Sequence, residues 1–146
     1  MVANSKIKTD LMGTYEVNDA YFSADGKTAY GFGVTTLFTV TYDNDLQNMQ
    51  EDPQGTSVPS FTNKTSATFN LTLNQMSPFN AVLEALADER RKVGFPVDAF
   101  DGSRHYVAIH CYIKKKPDGG AGNEAAERTW VISSSNVVEK YGFNNN

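Results

Sequence analysis

The stretch TSATFNLTLNQ at 65–75 alternates without a break: Ala67, Phe69, Leu71 and Leu73 are apolar, and Ser66, Thr68, Asn70, Thr72 and Asn74 between them are small and polar. Successive side chains of an extended chain point to opposite sides, so this pattern makes one dry face and one wet face only in a β-strand. In a helix the same residues would be spread around the axis. A chain that contains this stretch has to build a sheet with one buried side.

The same period recurs. In VTTLFTVTYD (34–43), Val34, Thr36, Phe38, Val40 and Tyr42 oppose Thr35, Leu37, Thr39 and Thr41. HYVAIHCYIKK (105–115) sets Val107, Ile109, Cys111 and Ile113 against Tyr106, Ala108, His110 and Tyr112. Both sets are largely apolar, which predicts a strand covered on both sides. RTWVISSS (128–135) and GTYEVNDAYF (13–22) complete at least five expected strands, and SADGK (23–27), DPQG (52–55) and KPDGGAGN (116–123) read as turns.

One segment breaks the β pattern. SPFNAVLEALADERRKVGFP (77–96) carries Phe79, Val82, Leu83 and Leu86 at i, i+3, i+4 and i+7, an apolar stripe at helical spacing. Ser77 is placed to cap it, Pro78 suits the first helical position, and Gly94 with Pro96 predicts its end, so a helix is expected over about 77–92. Asp43 to Asn63 shows no sustained period and contains Pro53, Gly55 and Pro59, which predicts a long loop over about 43–63. At 146 residues the chain fits a single domain, 1–146. The expected class is α+β with β dominant: an antiparallel β-barrel or sandwich with one flanking amphipathic helix.

Composition narrows function by exclusion. Thirteen basic against seventeen acidic residues leave a net charge of −4, which argues against holding a phosphate backbone over a broad surface. A single cysteine precludes an internal disulfide framework. The first ten residues contain no apolar signal-peptide core, and no apolar run reaches the roughly 18 residues of a membrane helix, so neither export by a cleaved signal nor membrane insertion is expected.

Residues able to do chemistry are few and scattered. His105 and His110, and again His110 and Cys111, differ by odd numbers and belong on opposite faces of a strand. DNDLQNMQEDPQ (43–54) lacks the glycine and glutamate of a calcium loop, and GFG (31–33) lacks the third glycine and the helix of a phosphate loop. KKKPDGG (114–120) reads as a solvated hairpin shoulder. No acid, base and nucleophile come together, so no enzyme, no cofactor and no metal site are expected.

Four stretches carry a resemblance. FTVTYDNDLQNM (38–49), LTLNQMSPFNAVLEAL (71–86), YIKKKPD (112–118) and RTWVISSSNVVEKYG (128–142) follow one another as strand, Ser-Pro-x-Asn helix start, strand ending in Lys-Lys-x-Pro-Asp, and a strand with Trp130 and a closing glycine. Over Gly31 to Gly142, about three quarters of the chain, this order resembles the tail tube proteins of contractile-tailed bacteriophages, the PhiTE-like tube family. The linker 92–105 and the segment 50–63 depart from that pattern.

The resemblance implies a structural virion protein with no catalytic residue or cofactor. Six copies would form a ring, rings would stack into a tube inside a contractile sheath, and double-stranded DNA would pass along the lumen as non-specific cargo. Partners would be further copies of the chain together with tail sheath, baseplate and tape-measure proteins. On that reading, Asp43, Asp45, Gln50, Glu51, Asp52 and Thr56 are expected at the contact between rings. Thr35, Thr39, Thr41, Thr68, Asn70 and Thr72 are expected on the lumen wall, and Phe79, Val82, Leu83 and Leu86 in the core. The related alternatives are a tube of a type VI secretion-like or bacteriocin-like system. A monomeric β-sandwich binding or decoration module is the alternative of another class.

Overall fold

In the computed structural model, which describes residues 13–141, the alternating stretch is strand β6 (Ala67–Asn74). Ala67, Phe69, Leu71 and Leu73 are fully buried, and the residues between them are half-exposed. β6 lies between β3 (Phe38–Tyr42) and β9 (Glu127–Ser134), both antiparallel to it. Leu71 pairs with Trp130 and Phe69 with Ile132 on the inner face, so the apolar half of each alternation meets its like across the ladder.

The full sheet runs β2 (Lys27–Thr28), β1 (Tyr21–Ala24), β7 (Phe95–Phe100), β8 (Arg104–Lys115), β9, β6, β3, with β10 (Val137–Tyr141) also paired to β8. Every pairing is antiparallel. The sheet curls over on itself. Phe22 of β1 lies 5.6 Å from Phe38 of β3 and 5.9 Å from Phe69 of β6, ring centre to ring centre, although β1 and β3 sit far apart in the strand order. No ladder joins β1 or β2 to β3 among the described residues, so the molecule is an open sandwich and not a closed barrel.

The class is therefore the expected one: α+β, β-dominant and antiparallel, with one helix. Its boundaries differ in several places, the first being that the strand expected over 34–43 is only Phe38–Tyr42. Helix α1 spans Phe79–Glu89, not 77–92, because Arg90 adopts left-handed backbone (φ 49°) and stops it four residues before Gly94. Ser77 does cap the start: its hydroxyl accepts from the Phe79 N–H over 3.3 Å. Phe79, Leu83 and Leu86 are buried, and Val82 packs partly exposed against the same core.

The segment 43–63 is not a loop. It forms a two-stranded hairpin of β4 (Gln47–Glu51) and β5 (Ser57–Phe61), a separate small sheet. Its turn is built by Asp52, whose Oδ1 accepts from the N–H groups of Gln54 and Thr56 while Gly55 takes positive φ (89°). The flanking strands carry polar residues on both sides, so no alternation marks them.

The linker 92–105 contains a full strand, β7, whose Phe95, Val97 and Ala99 are buried. GTYEVNDAYF supplies a 3-10 turn at Val17–Asp19 and only the start of β1. The face expected for Val107, Ile109, Cys111 and Ile113 is broken by a bulge. Val97 pairs with Ala108 but Phe95 pairs with Cys111, so Ile109 and His110 together oppose Pro96. Proline has no N–H to give a ladder, and a bulge is where a sheet tolerates it. Before the bulge Tyr106 and Ala108 point inward; after it Cys111 does, and Ile109 is left exposed. The first twelve residues and Gly142 lie outside the described residues.

Candidate functional site

Among the described residues the sequence-derived candidates fall on surfaces rather than in a cleft. The outer face of β3, β6 and β9 forms one wall. Across it Thr39 pairs with Asn70 and Asn70 with Val131; Thr41 pairs with Thr68 and Thr68 with Ser133; Thr72 pairs with Thr129. These eight adjoining positions carry no charge. The Thr72 and Thr129 hydroxyls lie 3.3 Å apart, and Thr68 donates to Asp43 at the margin over 3.2 Å. Thr35 is not part of this wall: it precedes β3, in an exposed stretch without strand pairing.

Among the described residues the wall ends on one side at the unpaired edge of β3, and on the other it continues across Tyr112 and Lys115 of β8, opposite Ser133 and Val131, to a second unpaired edge. β3 has a ladder on the β6 side only, and β8 from Tyr112 to Lys115 is paired only to β9, since β7 ends against Cys111. Strand edges of this kind present free N–H and C=O groups that another strand can join.

The six residues expected at a ring contact lie in and around the hairpin. Gln50 and Glu51 are in β4, Asp52 and Thr56 close its turn, and Asp43 and Asp45 precede it. Every residue of β4 and β5 is exposed. Exposed with them are apolar side chains that the sequence reading passed over: Leu46, Met49, Val58 and Phe61. The signal was available in the bare count of apolar residues over 46–61, but without a period it gave no face.

At the foot of the hairpin lies a groove of about 500 Å³, lined by Tyr42, Leu46, Thr65, Val137, Lys64 and Glu139 among others. Tyr42 donates its hydroxyl to Glu139, whose other oxygen lies 3.3 Å from Arg104 Nε. Burial, reinforced by that carboxylate, pushes the Tyr42 hydroxyl above the ordinary phenol range. Tyr42 thus stays neutral and keeps donating at any physiological pH.

The opposite half of the sandwich holds the histidines. His105 Nε2 and the Tyr21 hydroxyl both meet Asp98 Oδ1, on the outer face of β1, β7 and β8. Burial and the neighbouring carboxylate raise the Tyr21 hydroxyl. His110 is engaged at Nδ1 with the Val93 carbonyl over 2.7 Å, which ties the bulge to the helix–β7 connection. Cys111 is fully buried, and that burial lifts its thiol to about 11, so it is a core residue and a poor nucleophile. Of the lysine cluster, Lys116 bridges Glu84 (2.9 Å) and Asp88 (3.3 Å) on α1. No helix of the described residues is long and apolar enough to cross a membrane.

No protein-family model matches the sequence, and no curated protein does. Solved structures do match, at 10–12% identity, which speaks to the fold alone. One is the cap that terminates the tube of the anti-feeding prophage, with a TM-score of 0.60 over 97% of this chain and 100% of that one, at 10% identity. A second comes from the sheath–tube complex of an extracellular contractile injection system, PVC, in the extended state, with 0.55 over 97% and 99% at 10% identity. A third is the sheath/tube terminator of PVC in the extended state, with 0.58 over 90% and 99% at 12% identity. The chain has the fold of structural, tube-associated components of contractile particles, over nearly its whole length.

Proposed function

We propose that the chain is a structural subunit of the tube of a contractile particle, working as a homo-oligomer without catalysis. The observation that carries this is the uncharged wall of Thr39, Thr41, Thr68, Asn70, Thr72, Thr129, Val131 and Ser133, in a sheet whose edges at β3 and at 112–115 of β8 are unpaired among the described residues. Copies joined edge to edge through β3 and β8 would continue that wall around a ring, six copies on the family resemblance. Its surface would then line the lumen.

Such a lining suits a conduit. Threonine, asparagine and serine keep water on the wall and leave Lys115, opposite Val131, as a lone cation at the seam, too little charge to hold double-stranded DNA as it slides. Thr35 drops out of this set and the other five residues remain in it. The hairpin tip, with Gln50, Glu51, Asp52 and Thr56, is the segment we assign to contact with the next ring. Tail sheath, baseplate and tape-measure proteins are the partners this role entails, in the tail of a virion or virion-like particle.

A second reading is favoured by the identity of the structural relatives: two of the three are tube-terminating proteins. In that case the chain forms one ring that closes a tube. Electron microscopy of the purified protein separates these. Stacked tubes support a repeating tube subunit, isolated rings support a terminator, and monomers alone at high concentration overturn both. Deleting 50–58 is expected to leave folded protein that does not stack; tubes of normal length from that deletion would remove the hairpin tip from the ring contact.

A further inference from the structure

The hairpin has two chemically different faces, and neither is covered. Residues opposite each other in an antiparallel pair share a face. Phe61 with Gln47, Met49 with Pro59, and Glu51 with Ser57 form one; Asn48 with Ser60 and Gln50 with Val58 form the other. The second face runs at its foot into Leu46, whose carbonyl accepts from the Thr62 N–H over 3.0 Å, and so into the groove of Tyr42 and Val137. Phe61 is 79% exposed, Leu46 73%, Val58 57% and Met49 50%. An isolated two-stranded ribbon is marginal in water and needs a surface to lie on.

We propose that this surface is the hairpin of a second copy of the chain: the Met49–Pro59–Phe61 face of one copy packs on the Leu46–Val58 face of the next, with Phe61 seated in the groove. The inference rests on the homo-oligomeric reading above and adds how the copies recognise each other. Apolar side chains on both faces need cover on two sides at once. Copies arranged side by side supply both covers with a single contact, whereas any one unrelated partner covers one face.

The contact joins unlike surfaces, so it is head to tail and generates a closed ring or an array instead of a two-fold dimer. Rotation about a ring axis also keeps every residue at one height. Phe61 and Leu46 both lie at the foot of the hairpin, so the ring and the groove of its neighbour come level. Charge fits the same arrangement. Lys64 lines the groove and is the only cation between 43 and 64, while Asp43, Asp45, Glu51 and Asp52 make the rest of the segment acidic.

The test places cysteines at both ends of the contact in the full-length chain, Phe61→Cys with Leu46→Cys; the native Cys111 is buried and does not compete. Mild oxidation of assembled protein is expected to give a ladder of disulfide-linked copies on a non-reducing gel, which neither single variant gives. Phe61→Asp and Leu46→Asp, each altering an exposed side chain, are expected to fold yet to lose assembly at least tenfold by light scattering. Mixed together they should form dimers and nothing larger, because one intact pair of faces remains. Parent protein that assembles while the double-cysteine variant assembles without a ladder overturns the hairpin contact and leaves the oligomeric reading standing. Assembly by Phe61→Asp at the parent's level does the same, and a parent that never assembles overturns both.

Discussion

The Trp130 indole N–H donates to the Asn80 side-chain oxygen over 2.9 Å, joining the first turn of α1 to the centre of β9. The other end of that amide donates to three carbonyls, of Asn74, Gln75 and Ser77, at 3.0, 3.3 and 3.0 Å. Asn80 thus satisfies a buried indole and closes the turn from β6 into the helix. Asn80→Ala strands all four partners and is expected to cost about 1–3 kcal/mol. Urea unfolding followed by Trp130 fluorescence measures it, and a change in the native emission maximum should accompany the loss.

Leu83 is fully buried between α1 and the sheet. Leu83→Ala removes its contacts and leaves a void, with an expected loss of about 2–5 kcal/mol in urea titration. The half-exposed Val82 should respond to the same truncation by clearly less.

Gly94 and Gly26 have nearly the same positive φ, 74° and 78°, in different surroundings. A Cβ at Gly26 meets nothing within 4 Å, while one at Gly94 would lie 2.5 Å from the Cys111 carbonyl oxygen. Gly26→Ala should cost about 1–2 kcal/mol, the backbone penalty alone. Gly94→Ala adds a clash with main chain and should cost roughly 3–5 kcal/mol. Thermal melts of the two variants side by side check the difference.

Asp25 accepts both arms of the Arg91 guanidinium at 2.9 Å, linking the β1–β2 turn to the end of α1. The hydrogen bonds from Arg91 hold the Asp25 carboxyl below its usual range. A carboxylate whose folded pKa is depressed stabilises the fold above its unfolded pKa and ceases to do so as pH falls through the folded value. The stability difference between the parent and Arg91→Ala should therefore be present at pH 7 and shrink below about pH 4. The pair is partly exposed, so the effect should be small and should weaken in salt. Equal differences at pH 7 and pH 2.5 would contradict the assignment.

Cys111 should resist a thiol reagent while the protein is folded. With its thiol lifted to about 11, about one molecule in a thousand carries the thiolate at pH 8, and the side chain has no exposed surface. Modification is expected to follow the unfolding transition in urea. Rapid labelling of native protein would show that the sheet opens at the bulge.

Period decided what could be read from the chain. β6 and the stripe of α1 were visible because each repeats its pattern for two or more turns of its own geometry. β4 and β5 were invisible because both of their faces are exposed and mixed, so burial imposed no alternation on them. β7 was hidden by its neighbours: Gly94 and Pro96 punctuate a helix end, yet Pro96 also sits inside the strand, opposite the bulge. The uncharged wall was legible residue by residue in β3 and β6, whereas its extension onto Thr129, Val131 and Ser133 required the register. The groove could not be foreseen, since Tyr42, Leu46 and Val137 are brought together from three elements by the curl of the sheet.

That curl also gives the bulge in β8 a wider meaning. Upstream of Ile109 and His110 the inward positions are Tyr106 and Ala108; downstream the inward position is Cys111. One spare residue therefore resets the parity of the strand between the half that carries His105 and the half that borders the threonine wall. Pairing the strand without the bulge, every residue kept, would turn His110 and Tyr112 inward with Cys111 facing water. The two surfaces of the molecule keep their separate chemistries because this strand miscounts opposite a proline.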